Sequence, residues 1–493
     1  MRISSNTLFE SNVAAMSQQQ ARLLHTQQQV STGRRILTAS DDPVAAARAL
    51  DVSQSDAMNT QYAGNRNMAR HTLSLAENTL QNVTLLIQDV QTATIYAGNG
   101  TLNNSDRQTI ATDLSSRLQE LISLANSTDG IGNYLFAGYQ SRTQPFMDTS
   151  AGVSYFGDDG QRLAQVGATQ QMSTSDSGAD IFMRIKNGNG TFVTQAAAVN
   201  TGGGVIGTGS LANPAALTGD NYSILFAGPS AAAVTGNTGD GTISTPTVAT
   251  QAAVTGNDYS VVFTAANTYD VTNTTTGATL STGNTYISGQ AISFDGLQLN
   301  IQDGTTAFIA GDSFTVSSPG YTVTNDTTSA VVLPAPPATG RLPYTSGQAI
   351  SFDGMRMDIQ GIPNAGDQFT VSPSVNESLF TTISNLITAL NTPQGSDGSA
   401  QLTVSLNRGL NNLGNALDNI LTTRSSLGLR LNEVDALQSA GEDLSLQFRQ
   451  TLSDLQDVDY NKALSDLTMQ QMYLEAAQKS FAQISTLSLF NYI

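Results

Sequence analysis

Few residues of this chain have the chemistry for catalysis, and their placement argues against it. His25 and His71 are its two imidazoles. Both fall within helical patterns, where a histidine reads as hydrogen-bonded or solvent-facing. Asp158 and Asp159, with the other aspartates of the middle region, are candidates for paired acids or calcium ligands. They sit in Gly/Asn-rich turns, however, where Asp is favoured for its hydrogen bonds to nearby backbone. Cysteine is absent, which excludes thiol catalysis, thiolate metal sites and disulfides. The zinc-protease pattern HExxH is absent too, and the Gly-rich runs TGGGVIG and NGNG fit no phosphate-loop spacing. The chain therefore reads as a non-enzyme, with no catalytic, metal or cofactor residue to assign.

Charge and hydropathy narrow the partners. With 39 acidic against 21 basic residues the net charge is −18, which argues against nucleic acid and anionic membrane surfaces. No apolar run approaches the roughly 20 residues of a membrane helix, so membrane insertion is not expected. The opening MRISSNTLFESN lacks the basic-then-apolar layout of a cleaved secretory signal. Export is expected to take another route.

What remains is burial. Apolar residues recur at alternating steps of three and four at both ends of the chain. Near the start they are Val13, Met16, Leu23 and Val30, then Ala69, Leu73, Ala76, Leu80, Val83, Ile87 and Val90. Toward the end they are Leu406, Leu410, Leu413, Leu417, Ile420, Leu427, Leu431 and Val434, then Leu467, Leu474, Phe481, Ile484 and Leu487. That spacing puts one narrow apolar seam on a long helix, as in a coiled coil. Glu, a strong helix former, is absent between Glu120 and Glu377. The expected fold is α+β: a long antiparallel, coiled-coil-like helical rod from both chain ends, with a large all-β, internally repeated central insertion.

Local signals place the elements. A first helix runs to about residue 36. At STGRRILTASDDP the chain turns, with Asp41 or Asp42 as helix N-cap and Pro43 at the first helical position. The next helix runs to about Ala97, and Gly98 and Gly100 break it. Another covers Arg107 to about Asn126, with Ile110, Leu114, Leu118 and Leu121 on one face. From about Gln144 to Pro373, short alternating runs such as NYSILF, DYSVVF and DSFTV are bounded by turn residues. Helix resumes at NESLFTTISNLITAL and continues from Gln401, with a joint near Asp457.

The middle contains a repeat. SGQAISFDG stands at Ser288–Gly296 and again at Ser346–Gly354, followed by GDSFTVS at Gly311 and GDQFTVS at Gly366. Two related β units are expected, at about 255–319 and 320–374 of an insertion spanning 146–374. Across Pro145–Val375, 16 aspartates against five basic residues give −11, which suits an exposed surface.

The ends carry motifs that occur together in one family. They are MRIS, STGRR, SDDP, YAGNGTL and ANSTDGIGNYLFAGY in the first 145 residues, and SSLGLRLNEVDAL, DLQDVDYNKAL, QQMYLEAAQKSFAQI and SLFNYI at the other end. In these the chain resembles the bacterial flagellin family. MRIS and Pro43 liken it to the hook-associated branch more than to filament flagellin, which is the alternative. The resemblance implies a structural role at the hook–filament junction, in the flagellum outside the cell. It implies type III export with a flagellar export chaperone, contacts with flagellin and another hook-associated protein, and self-assembly into a ring or helical array. By the same resemblance 1–40 with 455–493 form the terminal assembly domain, and 41–145 with 375–454 a helical rod domain.

The terminal seams are too thin to close a core alone, and burial of an amphipathic face supplies most helix stability. With the family in view, Val13, Met16, Leu23, Val30, Leu467, Leu474, Phe481, Ile484 and Leu487 are the expected subunit interface, whereas the central seams are expected to be intramolecular core. An adhesin or glycan-binding role for the β insertion is the other reading; the repeat does not discriminate, since spacer domains look the same.

Overall fold

The computed structural model describes residues 5–336, 340–393 and 399–486. Its helices are α1 (Ser5–Thr32), α2 (Pro43–Ala97), α3 (Asn104–Ala125), α4 (Leu379–Asn391), α5 (Ser399–Gln456) and α6 (Tyr460–Thr486), and the strands lie between α3 and α4. The fold is α+β with a β insertion between helical ends. Its residues group into two compact units, one of Met1–Leu73, Leu163–Thr174 and Leu429–Ile493, the other of Ser74–Arg162 and Ser175–Gly428.

In the first unit α1 packs with α6. The first half of α2 and the last part of α5 run antiparallel, as their cross-links show. Asp56 accepts from Ser445 Oγ at 2.9 Å, Asn59 Nδ2 donates to the Gly441 carbonyl at 2.7 Å, and Arg66 Nε donates to Gln438 at 3.0 Å. Gly441 lies within α5. A Cβ there would collide with the Arg66 guanidinium, so the helix propensity lost at glycine is offset by room for a buried side chain. Arg66 Nη1 also donates to the Val166 carbonyl at 3.0 Å, holding the small hairpin of Leu163–Gln165 and Gln171–Ser173.

In the second unit α2 supplies Leu80, Val83, Ile87 and Val90, and α5 supplies Leu413 and Ile420, all fully buried. Arg424 of α5 pairs with Glu77 of α2 at 2.7 Å. The Thr84 and Thr94 hydroxyls are buried on α2 and donate back to carbonyls four residues earlier, a local way to satisfy them; Thr84 Oγ1 also accepts from Arg424 Nη1 at 3.4 Å. Asn103 caps α3 in a reciprocal box with Asp106. The buried face of α3 is Ala111, Leu114, Leu121, Ile122 and Ala125, a stripe turned from the expected one: Ile110 and Leu118 are only half-buried. α3 packs on α4, whose Leu379, Phe380, Ile383, Leu386 and Leu390 are buried. Phe146 joins them to the loops, its ring 5.1 Å from Tyr155, 5.4 Å from Phe182 and 5.2 Å from Phe380.

The β region leaves and rejoins the helices through one pair of strands, Ile185–Lys186 against Asn376–Glu377. Beyond it lie two sandwiches of matching topology. The inner one has a five-stranded sheet in the order Phe192–Ala196, Gln368–Pro373, Tyr222–Ala227, Gly320–Asn325, Ala330–Leu333. The outer one has Ser230–Ala233, Ser313–Ser317, Asp258–Ala265, Thr268–Asn273, Thr279–Thr285. Each is faced by a small four-stranded sheet. The inner sheet draws its strands from two separate segments of the chain. The second unit is not 320–374 alone, because the strands Phe192–Ala196 and Tyr222–Ala227 complete its sheet. The segment 320–374 supplies only three of the five strands.

Candidate functional site

The turn between α1 and α2 meets the turn between α5 and α6. Gly33 ends α1 in the left-handed conformation, φ +71°, where glycine carries no Cβ penalty. Its carbonyl accepts from the Val458 N–H at 2.9 Å. Arg35 donates its backbone N–H to the Gln456 carbonyl at 2.6 Å and its guanidinium to the Leu455 carbonyl at 2.7 Å. These are among the last carbonyls of α5, which lack intrahelical partners, and a cation suits that negative helix end. Arg35 also pairs with Asp42 at 3.3 Å. Asp42 caps α2 through the Ala45 N–H at 3.0 Å, as expected, while Asp41 takes the Leu37 and Thr38 N–H groups at 2.9 and 2.8 Å. His25 Nε2 lies 3.1 Å from Asp41, so this histidine has a structural partner.

Both joint carboxyls are held below the usual range, Asp41 chiefly by the Thr38 N–H and Asp42 chiefly by the Ala45 N–H with help from Arg35. A depressed folded-state pKa stabilises above the unfolded value and is lost as pH falls through the folded one. Hydrogen-exchange protection of a peptide covering 33–45 should therefore be complete above about pH 4 and fall on further acidification. Protection unchanged down to about pH 2 contradicts this assignment.

The second feature is the surface of the α1–α6 pair. Phe9 and Phe481, near opposite chain ends of the two helices, pack with tilted rings and centroids 5.2 Å apart, so the helices run antiparallel. Met16, Gln19, Tyr473 and Phe481 line a groove of about 230 Å³ between them. Of the expected interface residues, Met16, Leu23, Val30, Leu467, Leu474 and Phe481 are half-buried and Val13 is exposed. Ile484 belongs to α6 but its side chain lies outside the described residues, as does Leu487 altogether. Each helix of the pair thus covers part of the other's seam. A further apolar set was not singled out by spacing: Phe9, Leu24, Leu464, Met472 and Tyr473 are 50–60% exposed. Their signal was adjacency, as in MQQMYLEAA, where apolar residues stand off the three-four repeat.

Among the described residues no group of acidic or histidine side chains is arranged to hold a metal ion. Asp158 accepts from the Tyr139, Gln140 and Gly160 N–H groups at 2.9, 3.1 and 2.7 Å, and Asp159 pairs with Arg184 at 2.7 Å. Both carboxyls are pulled down, the first mainly by the Tyr139 N–H and the second by Arg184. These contacts fasten loops. Among the described residues no helix is long and apolar enough to cross a membrane.

Family models agree with the position of these features. Residues 3–141 match the bacterial flagellin N-terminal helical region, 410–493 its C-terminal helical region, and 232–319 the D2-like domain of flagellar hook-associated protein 1. Flagellar hook-associated protein 3 of Salmonella typhimurium is 42% identical over 185 residues, 38% of this chain and 58% of that protein. The chain thus spans less than two thirds of that relative's length. Among solved structures, hook-associated protein 3 of Legionella pneumophila superposes with a TM-score of 0.61 at 28% identity, covering 82% of this chain and 98% of that one. FlgL of Xanthomonas campestris gives 0.52 at 26% identity, covering 82% and 99%.

Proposed function

We propose, from the premise that both ends of the chain carry the terminal helical regions of bacterial flagellin, that it is a structural subunit joining the flagellar hook to the filament. The observation that carries this reading is the half-open seam of α1 and α6. A pair of amphipathic helices with exposed Phe9, Leu24, Met472 and Tyr473 needs another apolar surface to complete its burial. Neighbouring subunits supply it when the contact repeats as a heterologous, open array. Residues 1–40 with 455–493 act as the assembly domain, 41–145 with 375–454 as its support, and the β region as an outward projection. The partners are flagellin on one side, another hook-associated protein on the other, and an export chaperone before assembly. The protein works outside the cell, by packing and without catalysis. The SFDG repeat does not favour an adhesin: Asp295 and Asp353 hold the Tyr259 and Tyr222 hydroxyls at 2.8 and 2.7 Å inside their own domains. Purified subunit added to isolated hooks should cap them and then seed growth of added flagellin. Hooks that seed equally well without it would contradict the junction role.

A further inference from the structure

We infer that the outer β sandwich is a second copy of the inner one, inserted at the tip of the inner unit's own hairpin, and that it can unfold without opening the unit beneath it. Residues 200–228, NTGGGVIGTGSLANPAALTGDNYSILFAG, align without a gap with 237–265, NTGDGTISTPTVATQAAVTGNDYSVVFTA, and 14 of 29 positions are identical. The SFDG and FTVS segments of the outer copy follow directly, whereas those of the inner copy come only after the outer copy ends. Sequence order is therefore inner, outer, inner.

Strand register agrees. In the inner unit Tyr222, Ile224 and Phe226 pair with Asn325, Val323 and Tyr321. In the outer unit Tyr259, Val261 and Phe263 pair with Asn273, Val271 and Tyr269. The outer hairpin closes tightly after Ala265 pairs with Thr268. The inner one, at the pair Ala227 and Gly320, opens to admit the whole outer unit.

Buried polar groups match as well. Asp367 accepts the Thr201 and Gly202 N–H groups at 2.8 and 3.0 Å, and Asp312 accepts those of Thr238 and Gly239 at 2.6 and 2.9 Å. The Tyr222 hydroxyl joins Thr218 and Asp353, and the Tyr259 hydroxyl joins Thr255 and Asp295. Such networks are costly to leave half-made, so each unit keeps its own complete set. The apolar cores share no residue: Phe226, Phe352 and Phe369 belong to one, Phe263, Phe308 and Phe314 to the other. Arg341 of the inner unit straps the junction, donating its guanidinium to the Ser318 and Gly228 carbonyls at 2.8 and 3.4 Å.

Separate cores joined by two strands of backbone open as separate cooperative units. In the full chain, Phe314→Asp should lower exchange protection at least tenfold across 230–317 and leave 192–226 and 321–372 unchanged. A second variant replaces 229–319 with an Asn-Gly turn, which suits a two-residue hairpin. It should keep full protection in the same inner segments. Loss of inner protection in either variant, including failure of the second to fold, overturns the inference.

Discussion

Leu474→Asp or Phe481→Asp should let the subunit leave the cell but keep it out of the flagellum. Both positions are half-buried on α6, and Phe481 packs against Phe9 of α1. A carboxylate forced into a contact that closes over it costs several kcal/mol, on the order of 2–7 for an unpaired polar group and more for a charge. Spread over every repeated contact of an array, that penalty removes assembly. Flagellin should then accumulate in the medium while motility fails. Normal swimming in both variants would contradict the interface, and retention inside the cell would assign these residues to export contacts instead.

The largest stability effect should come from Phe146→Ala. Its ring is fully buried and bridges Tyr155, Phe182 and Phe380, which belong to three separate segments. Truncating a buried Phe typically costs about 3–5 kcal/mol through lost transfer energy and the cavity left behind. Urea unfolding of the purified subunit should show this loss in the transition of the larger unit. A change under about 1 kcal/mol would show that the loops after α3 are not welded to α4 by this cluster.

How much of this was legible depends on the range of the signals. The start of α2 at Pro43 and the joint between α5 and α6 near Asp457 were readable because caps and prolines act within a turn of helix. The fully buried seam of Leu80, Val83, Ile87 and Val90 followed from spacing alone. Other features depend on partners remote in sequence. The strand Tyr222–Ala227 pairs with Gly320–Asn325, nearly a hundred residues away, and no local pattern marks such a pairing. The repeat was visible at SFDG, yet its first half was hidden because one copy is split. Arg35 stood in the motif STGRR, but its carbonyl partners Leu455 and Gln456 carry no side-chain signature. Small residues also misled: Ala111 and Ala125 sit in the core of α3 while Leu118 is only half-buried.

As the proposed assembly domain, α1 and α6 gain their full stability only when neighbours cover their seam. Hydrogen exchange on the verified monomer, compared with the same subunit assembled on hooks, tests it most directly. Little protection across α1 and α6 in the monomer, against strong protection in 74–126 and 399–428 and in the assembled terminal helices, is the expected result. Terminal helices as strongly protected in the monomer as in the assembly would contradict it.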